Sequence, residues 1–252
     1  MKKLLTDTDV DIELFQDDFK YIDQEYFLNI VSIFKITTAN LNIGFLGMTK
    51  DTIYAYGQGI CRWLSLKHDP KQPQQINILN GKKIIQVESG NEFVAVLTDD
   101  GLVYLASGDS RWKTNNTLRL ISTGYDRFEM IASGVLHLLL LRQDGTVFAL
   151  GDNTYGQLTG NSESSYDTVV NNGLTNVKII ACGSEHSLAL TNTNRIYSWG
   201  CNNKGQLGLG DTNERRIPTL VSFFHGPIKN IMAGANHSLF LLEDGQIFGC
   251  GH

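Results

Sequence analysis

Apolar residues in this chain come in short runs, such as Leu188 to Leu190 and Leu239 to Leu242. Runs of this length suit buried strands better than helices. A turn signal follows each run within a few residues: Asp100–Gly101, Asp144–Gly145 and Asp244–Gly245, with Thr193–Asn194 at the same place in another copy. Asp-Gly supplies the positive φ that a tight hairpin requires. After the turn come Val147–Phe148, Ile196–Tyr197 and Ile247–Phe248, a β-branched residue with an aromatic one, as strands prefer. Upstream, residues 177–180 and 228–232 predict one further strand each. Each unit therefore reads as most of one antiparallel sheet.

These hairpins belong to an internal repeat. CGSEHSLALTNTNRIYSWG, AGANHSLFLLEDGQIFGCG and SGVLHLLLLRQDGTVFALG align without gaps. In each, a first glycine (Gly134, Gly183, Gly234) is followed three residues later by histidine (His137, His186, His237). A second glycine (Gly151, Gly200, Gly251) closes the unit seventeen residues after the first. A fourth copy starts at Ser89–Gly90, with Phe93 in place of the histidine and Ser107 in place of the closing glycine. A fifth, eroded copy spans residues 39–57, with Asn40 and Ile43 at the marker positions. Positions 40, 90, 134, 183 and 234 are separated by 50, 44, 49 and 51 residues. Near-regular spacing with drifting side chains indicates a stacked or circular array.

Between units lie Gly-rich loops, GDNTYGQLTG from Gly151 and GCNNKGQLGLGD from Gly200. The GQLGLG segment and the Gly-x-x-His-Ser start resemble regulator of chromosome condensation repeats, over residues 39 to 252. The resemblance implies an all-β fold, a β-propeller whose family ring has about seven blades. With about five recognisable units here, it also implies an incomplete or fragmentary ring, whose exposed final edge invites self-association. IVSIFKITTANLNIGFLGMTKDTIYAYG further resembles the start of proteins that join these repeats to a BTB domain, a part absent here.

Residues 1–26 read as an acidic lead, with Phe15, Phe19 and Ile22 at helical spacing, and residues 27–252 as the repeats. The resemblance implies a protein-protein interaction module and, through the likeness to the repeat-plus-BTB proteins, an adaptor related to those components of ubiquitin ligases, with partners unidentified. The alternative is a guanine-nucleotide exchange factor for the GTPase Ran. Against that alternative stands an acidic start where a chromatin-bound exchanger would carry basic residues. An ultraviolet photoreceptor on the same fold needs clustered tryptophans, whereas only Trp63, Trp112 and Trp199 occur.

Charge and composition narrow the chemistry. The net charge is −5, and lysine and arginine form nothing longer than pairs, which argues against direct nucleic-acid binding. No apolar run approaches the roughly 20 residues of a membrane helix, and no signal-peptide core follows Met1, so the expected location is cytoplasmic or nuclear. Cys61, Cys182, Cys201 and Cys250 form no CxxC pair and are expected to be reduced thiols. Three histidines at equivalent places on successive units are too dispersed to converge on one ion, so a structural role is expected rather than a metal site. Gly205, Gly208 and Gly210 lack the Lys-Ser/Thr of a phosphate loop and read as turn glycines. No nucleophile or acid-base constellation is evident. The expectation is no catalysis and no cofactor, with Gly90, Gly134, His137, Gly151, Gly183, His186, Gly200, Gly234, His237 and Gly251 as structural markers.

Overall fold

The computed structural model describes residues 21–23, 26, 29–37, 43–69, 71–124, 127–222 and 226–252. Most of the acidic lead, with the helix expected there, lies outside these residues, as does Asn40. The chain divides into two compact units, Met1–Ile121 and Ser122–His252.

The first unit holds two four-stranded antiparallel sheets. One runs β1 (Ser32–Thr37), β2 (Ile43–Met48), β3 (Ile53–Tyr56), β4 (Gln74–Gln75), and the other β5 (Ile84–Ser89), β6 (Phe93–Thr98), β7 (Val103–Ser107), β8 (Arg119–Ile121). The second unit holds three. They are β9 (Phe128–Ser133) to β12 (Ser165–Asn171) through β10 (His137–Arg142) and β11 (Val147–Asp152); β13 (Val177–Cys182) to β16 (Arg215–Val221) through β14 (His186–Thr191) and β15 (Ile196–Gly200); and β17 (Ile228–Ala233), β18 (His237–Leu242), β19 (Ile247–Gly251). In every sheet, strands adjacent in sequence are adjacent in space. The chain is all-β, and the five sheets correspond to the five repeats.

The apolar runs are continuous because the middle strands are covered on both faces. Leu139 and Leu141 of β10 pack with Val177, Ile180 and Ala189 of the next sheet. Leu188 and Leu190 of β14 face the other way, onto Ile228, Ile231 and Phe240. The first strands β9, β13 and β17 lie side by side. The hairpins turn where Asp-Gly predicts: Gly145 N–H donates to Arg142 O at 2.8 Å, with Gly145 at φ +80°. Asn194 does the same work at φ +61°, donating to Thr191 O at 3.0 Å.

Three features differ from the sequence reading. The fourth strands, SYDTVVN and RRIPTLV among them, were not expected, because they are outer strands with little buried surface and carry no apolar run. Pro218 fits such an outer position, where no ladder hydrogen bond is lost. A short helix, Gln58–Trp63, replaces the Gly-rich loop after β3 and buries Ile60, Cys61 and Trp63. In the eroded repeat the hairpin is one residue shorter than its counterparts. Phe45 pairs with Tyr56, so Gly44 rather than Ile43 falls opposite Gly57.

Candidate functional site

The marker residues form a backbone corner at the start of the second strand in four of the sheets. Gly134, Gly183 and Gly234 each donate N–H to the carbonyl of the histidine three residues on, at 2.9 Å. Gly90 makes the same corner with Phe93, at 3.3 Å. The closing glycines stand directly opposite: His137 with Gly151, His186 with Gly200, His237 with Gly251. Their φ values of +105°, +101° and +99° exclude most side chains. In the second sheet Phe93 pairs with Ser107, whose hydroxyl donates to Glu92 O at 2.7 Å. Phe93 there is buried against Trp112, ring centroids 4.5 Å apart.

Within the second unit these corners are tied from sheet to sheet. Val135 N–H donates to Ser184 O at 3.1 Å, and Ser184 N–H to Ala235 O at 3.0 Å. The first glycine is required on two counts. A Cβ on Gly183 would overlap the His186 ring and also lie 2.5 Å from Gly234 O in the next sheet.

A side-chain relay reinforces each tie. His137 Nε2 lies 3.1 Å from Ser187 Oγ, and His186 Nε2 lies 2.9 Å from Ser238 Oγ, each serine belonging to the following sheet. The serines donate onward, Ser187 to Gln157 O at 2.8 Å and Ser238 to Gln206 O at 2.7 Å. A hydroxyl has one proton, so each imidazole must donate from Nε2 and leave Nδ1 bare. Among the described residues Nδ1 of His137 and His186 has no hydrogen-bond partner, so the lone pair of that tautomer is buried without a donor. His237 keeps the corner, but its ring is exposed and has no such serine among the described residues.

The accepting carbonyls are held by buried asparagines. Asn153 Nδ2 donates to Glu163 O at 2.8 Å, and its Oδ1 accepts from Leu158 N at 3.0 Å. Asn202 repeats this with Asn213 O at 2.9 Å and Leu207 N at 3.0 Å. The loop so fixed presents Gln157 O to both Ser187 and Trp199 Nε1, the latter at 2.7 Å. Cys250 occupies the matching place in the last sheet, its thiol 3.3 Å from Gln206 O. Sequence reading missed the asparagines and serines. Their signal was an asparagine two residues past the closing glycine and a serine directly after the histidine.

Burial sets the electrostatics. Desolvation, followed by the neighbouring His186, lowers His137 from 6.5 to about 3. Desolvation, followed by His237, lowers His186 to about 4. Both rings are neutral structural donors. Burial raises the Cys61 thiol to about 11, which leaves it a poor nucleophile. Trp63, Trp112 and Trp199 are all core residues, 2%, 2% and 0% exposed. Gly205, Gly208 and Gly210 are left-handed turn residues at φ +74°, +68° and +81°. Among the described residues no group of His, Cys, Asp or Glu is placed to hold a metal ion, and no helix is long and apolar enough to cross a membrane.

What this framework displays to solvent differs from repeat to repeat. The residue before the histidine is Leu136, Glu185 or Asn236, and the loop tips are Thr154–Tyr155 or Asn203–Lys204. Desolvation and the charge of Asp152 raise the Glu185 carboxyl above its ordinary value. Glu185 in turn leads the carboxylates that raise the Tyr155 phenol.

Comparison with known proteins places these repeats. The model of the regulator of chromosome condensation (RCC1) repeat matches residues 144–190 and 193–241, and a second model of that description matches 177–206. The chain is 32% identical over 195 residues to the ultraviolet-B receptor UVR8 of Arabidopsis thaliana, covering 73% of this chain and 32% of that protein. It is 30% identical over 124 residues to the E3 ubiquitin-protein ligase HERC2 of Homo sapiens, covering 43% of this chain and 2% of the ligase. Among solved structures, yeast RCC1 (Prp20) bound to Kap60 matches with a TM-score of 0.69 and 25% identity, covering 88% of this chain and 56% of that one. The chain thus spans about a third or less of these two curated relatives. The sheets are blades of the RCC1-like propeller fold.

Two measurements follow from the fastening. Gly183→Ala forces both the His186 ring and a backbone carbonyl to move and is expected to cost about 1–3 kcal/mol by thermal denaturation. Gly245→Ala, with nothing within 4 Å of its added Cβ, bears only the left-handed backbone cost and should lose less. Equal losses would contradict the packing account. The buried histidines also set a pH dependence. Their folded-state pKa values lie below the unfolded value of 6.5, so the unfolded chain binds more protons and acid favours it. Stability is full above pH 6.5 and falls as pH drops towards about 4 for His186 and about 3 for His137, by up to about 1.4 kcal/mol per pH unit for each. Urea unfolding of the parent and of His186→Ala at pH 7 and pH 5 measures this. The variant should be less stable at pH 7 by about 1–3 kcal/mol and lose less on acidification. Parallel pH profiles would contradict a neutral buried His186.

Proposed function

We propose that this chain is a protein-protein interaction module that binds through the loop face of its second unit. The observation that carries this reading is the division of labour within the repeats. Positions that recur, the glycines, histidines, serines and asparagines, are mostly buried and bonded to one another. Positions that differ, Glu185, Asn236, Thr154, Asn203 and Lys204, with the half-buried Tyr155, face solvent from loops that the relay braces. Loops on a rigid scaffold are where binding residues concentrate. No rearrangement is needed for this face to present a partner-specific set of side chains.

The partner is a protein of the cytoplasm or nucleus, not nucleic acid or membrane lipid. An adaptor role beside ubiquitin ligases, as in proteins that join such repeats to a BTB domain, is supported by likeness to a relative named as a ubiquitin ligase. Likeness to yeast RCC1 favours a second reading, nucleotide exchange on Ran. The acidic lead and the net charge of −5 weigh against it.

The test combines capture and exchange. The triple variant Tyr155→Ala, Glu185→Lys, Lys204→Glu alters two exposed positions and one half-buried one and should melt within about 1 kcal/mol of the parent. Proteins captured from native cells by the parent should be lost at least tenfold with the variant, by quantitative mass spectrometry. Capture unchanged by the triple variant would remove the loop face. Release of labelled GDP from Ran is expected to stay at its spontaneous rate, and clear acceleration would move the reading to exchange.

A further inference from the structure

The loop face of the first unit departs from the repeat pattern at both of its sheets. After β3 the chain forms the helix Gln58–Trp63, and after β7 a turn of 3₁₀ helix, Ser110–Trp112, where the second unit carries Gly-rich loops. Each of these segments buries a tryptophan, Trp63 and Trp112. The two segments are fitted together. A Cβ on Gly108 would lie 2.8 Å from Trp63 Cδ1 and 3.3 Å from Arg62 Nη2. Ser65 Oγ donates to Asn116 O at 2.9 Å, and Gly108 N–H donates to Glu92 O, also at 2.9 Å.

The ledge so formed holds most of the positive-φ strain. Seven non-glycine residues have positive φ among the described residues, and five of them, Ser65, Glu92, Lys113, Asn115 and Asn116, belong to this junction. Asparagine tolerates the left-handed region, but Ser65, Glu92 and Lys113, at φ +52°, +60° and +47°, carry its cost. Polar latches impose it. Thr114 Oγ1 accepts from Ser107 N–H at 3.1 Å and donates to Ser107 O at 2.9 Å, and Asp109 Oδ1 accepts from Arg111 N–H at 2.9 Å. Strain of this kind persists where the surroundings over-determine it, and it gathers at sites that hold a ligand.

The exposed side chains of the ledge are mainly basic. Arg62, Lys67, Arg111 and Lys113 stand exposed, beside the half-buried carboxylates Glu92 and Asp109. Asp109 is taken by Arg111, whose Nε donates to it at 2.9 Å, and Asp69 accepts from Lys71 N–H at 2.8 Å. Arg62 has Glu92 at 4.0 Å and keeps 67% of its side chain exposed. In a chain of net charge −5 this positive surplus is local. We propose that the ledge docks an acidic segment of a partner protein, whose carboxylates are received by Arg62, Lys67, Arg111 and Lys113. Complementary charge on a rigid surface sets the orientation and the rate of encounter, and guanidinium groups pair with carboxylates in fixed geometry. A phosphodiester backbone carries a charge every few ångströms and calls for a longer basic tract than this one. The proposal concerns the first unit alone and does not rest on the reading of the second.

The probe is a fluorescein-labelled peptide of alternating aspartate and glutamate, with the matching asparagine-glutamine peptide as its neutral control. Fluorescence anisotropy with the full chain is read at about 150 mM salt, where exposed charges are screened beyond about 8 Å. Saturable binding of the acidic peptide and none of the neutral one is expected. Arg62→Glu with Lys113→Glu, both at exposed positions, should melt as the parent does and bind at least tenfold more weakly. Amide hydrogen exchange of the parent should slow across residues 58–67 and 108–116 when the peptide is present, and this decides the matter if the double variant unfolds. The triple variant of the second unit should bind the peptide as the parent does, so loss of capture there and loss of peptide binding here are separate failures. No saturable binding, slowing confined to other segments, equal affinity of the folded charge-reversed protein or equally tight binding of oligothymidylate would overturn the proposal.

Discussion

Ser187 and Ser238 each have one proton to give, and each gives it to a glutamine backbone carbonyl in the loop between the third and fourth strands of the preceding sheet. The histidine of the preceding sheet must then donate to the serine oxygen, which fixes its tautomer and ties the two sheets, while burial keeps the ring neutral. The rest of the repeat follows from seating that ring. The first glycine leaves room beneath it, the closing glycine turns the strand opposite it, and the buried asparagine holds the loop whose carbonyl accepts from the serine. A connected polar network of this kind, in which only Nδ1 of each ring is left without a partner, tolerates little local variation. The variable residues are accordingly those that point away from it.

The relay also explains why polar groups sit inside so apolar a core. Leu188 and Leu190 of β14 flank Ser187 and Ala189 on a strand buried along its whole length. Burying histidine and serine costs free energy that their mutual bonds only partly return. Packing of leucines alone would hold two sheets together without setting their register. A chain of directional bonds from loop carbonyl to serine to histidine sets it. We infer that the rigidity of the loop face originates there.

Much of the architecture was legible in the sequence because strand pairs and tight turns leave local marks. Asp144–Gly145 and the flanking runs announced a hairpin, and the Gly-x-x-His spacing announced its repetition. The outer strands were not legible, since β12 and β16 bury too little surface to need an apolar pattern. The helix at Gln58–Trp63 hid behind an expectation of Gly-rich loops, and the shortened hairpin of the first sheet displaced its marker from Ile43 to Gly44. The histidines were expected to be structural, but their partners lie 50 and 52 residues away and only the fold pairs them. The exposed loop residues carried no sequence signal, because they have no repeat pattern to match.

The central claim is that the histidine of one sheet is energetically coupled to the serine of the next. A double-mutant cycle of His186→Ala and Ser238→Ala, read by urea unfolding at pH 7, tests it directly. The account predicts a coupling energy of about 1 kcal/mol or more between these residues, within the range of about 0.5–3 kcal/mol seen for groups in one hydrogen-bond network. Additivity of the two substitutions to within about 0.3 kcal/mol would contradict it.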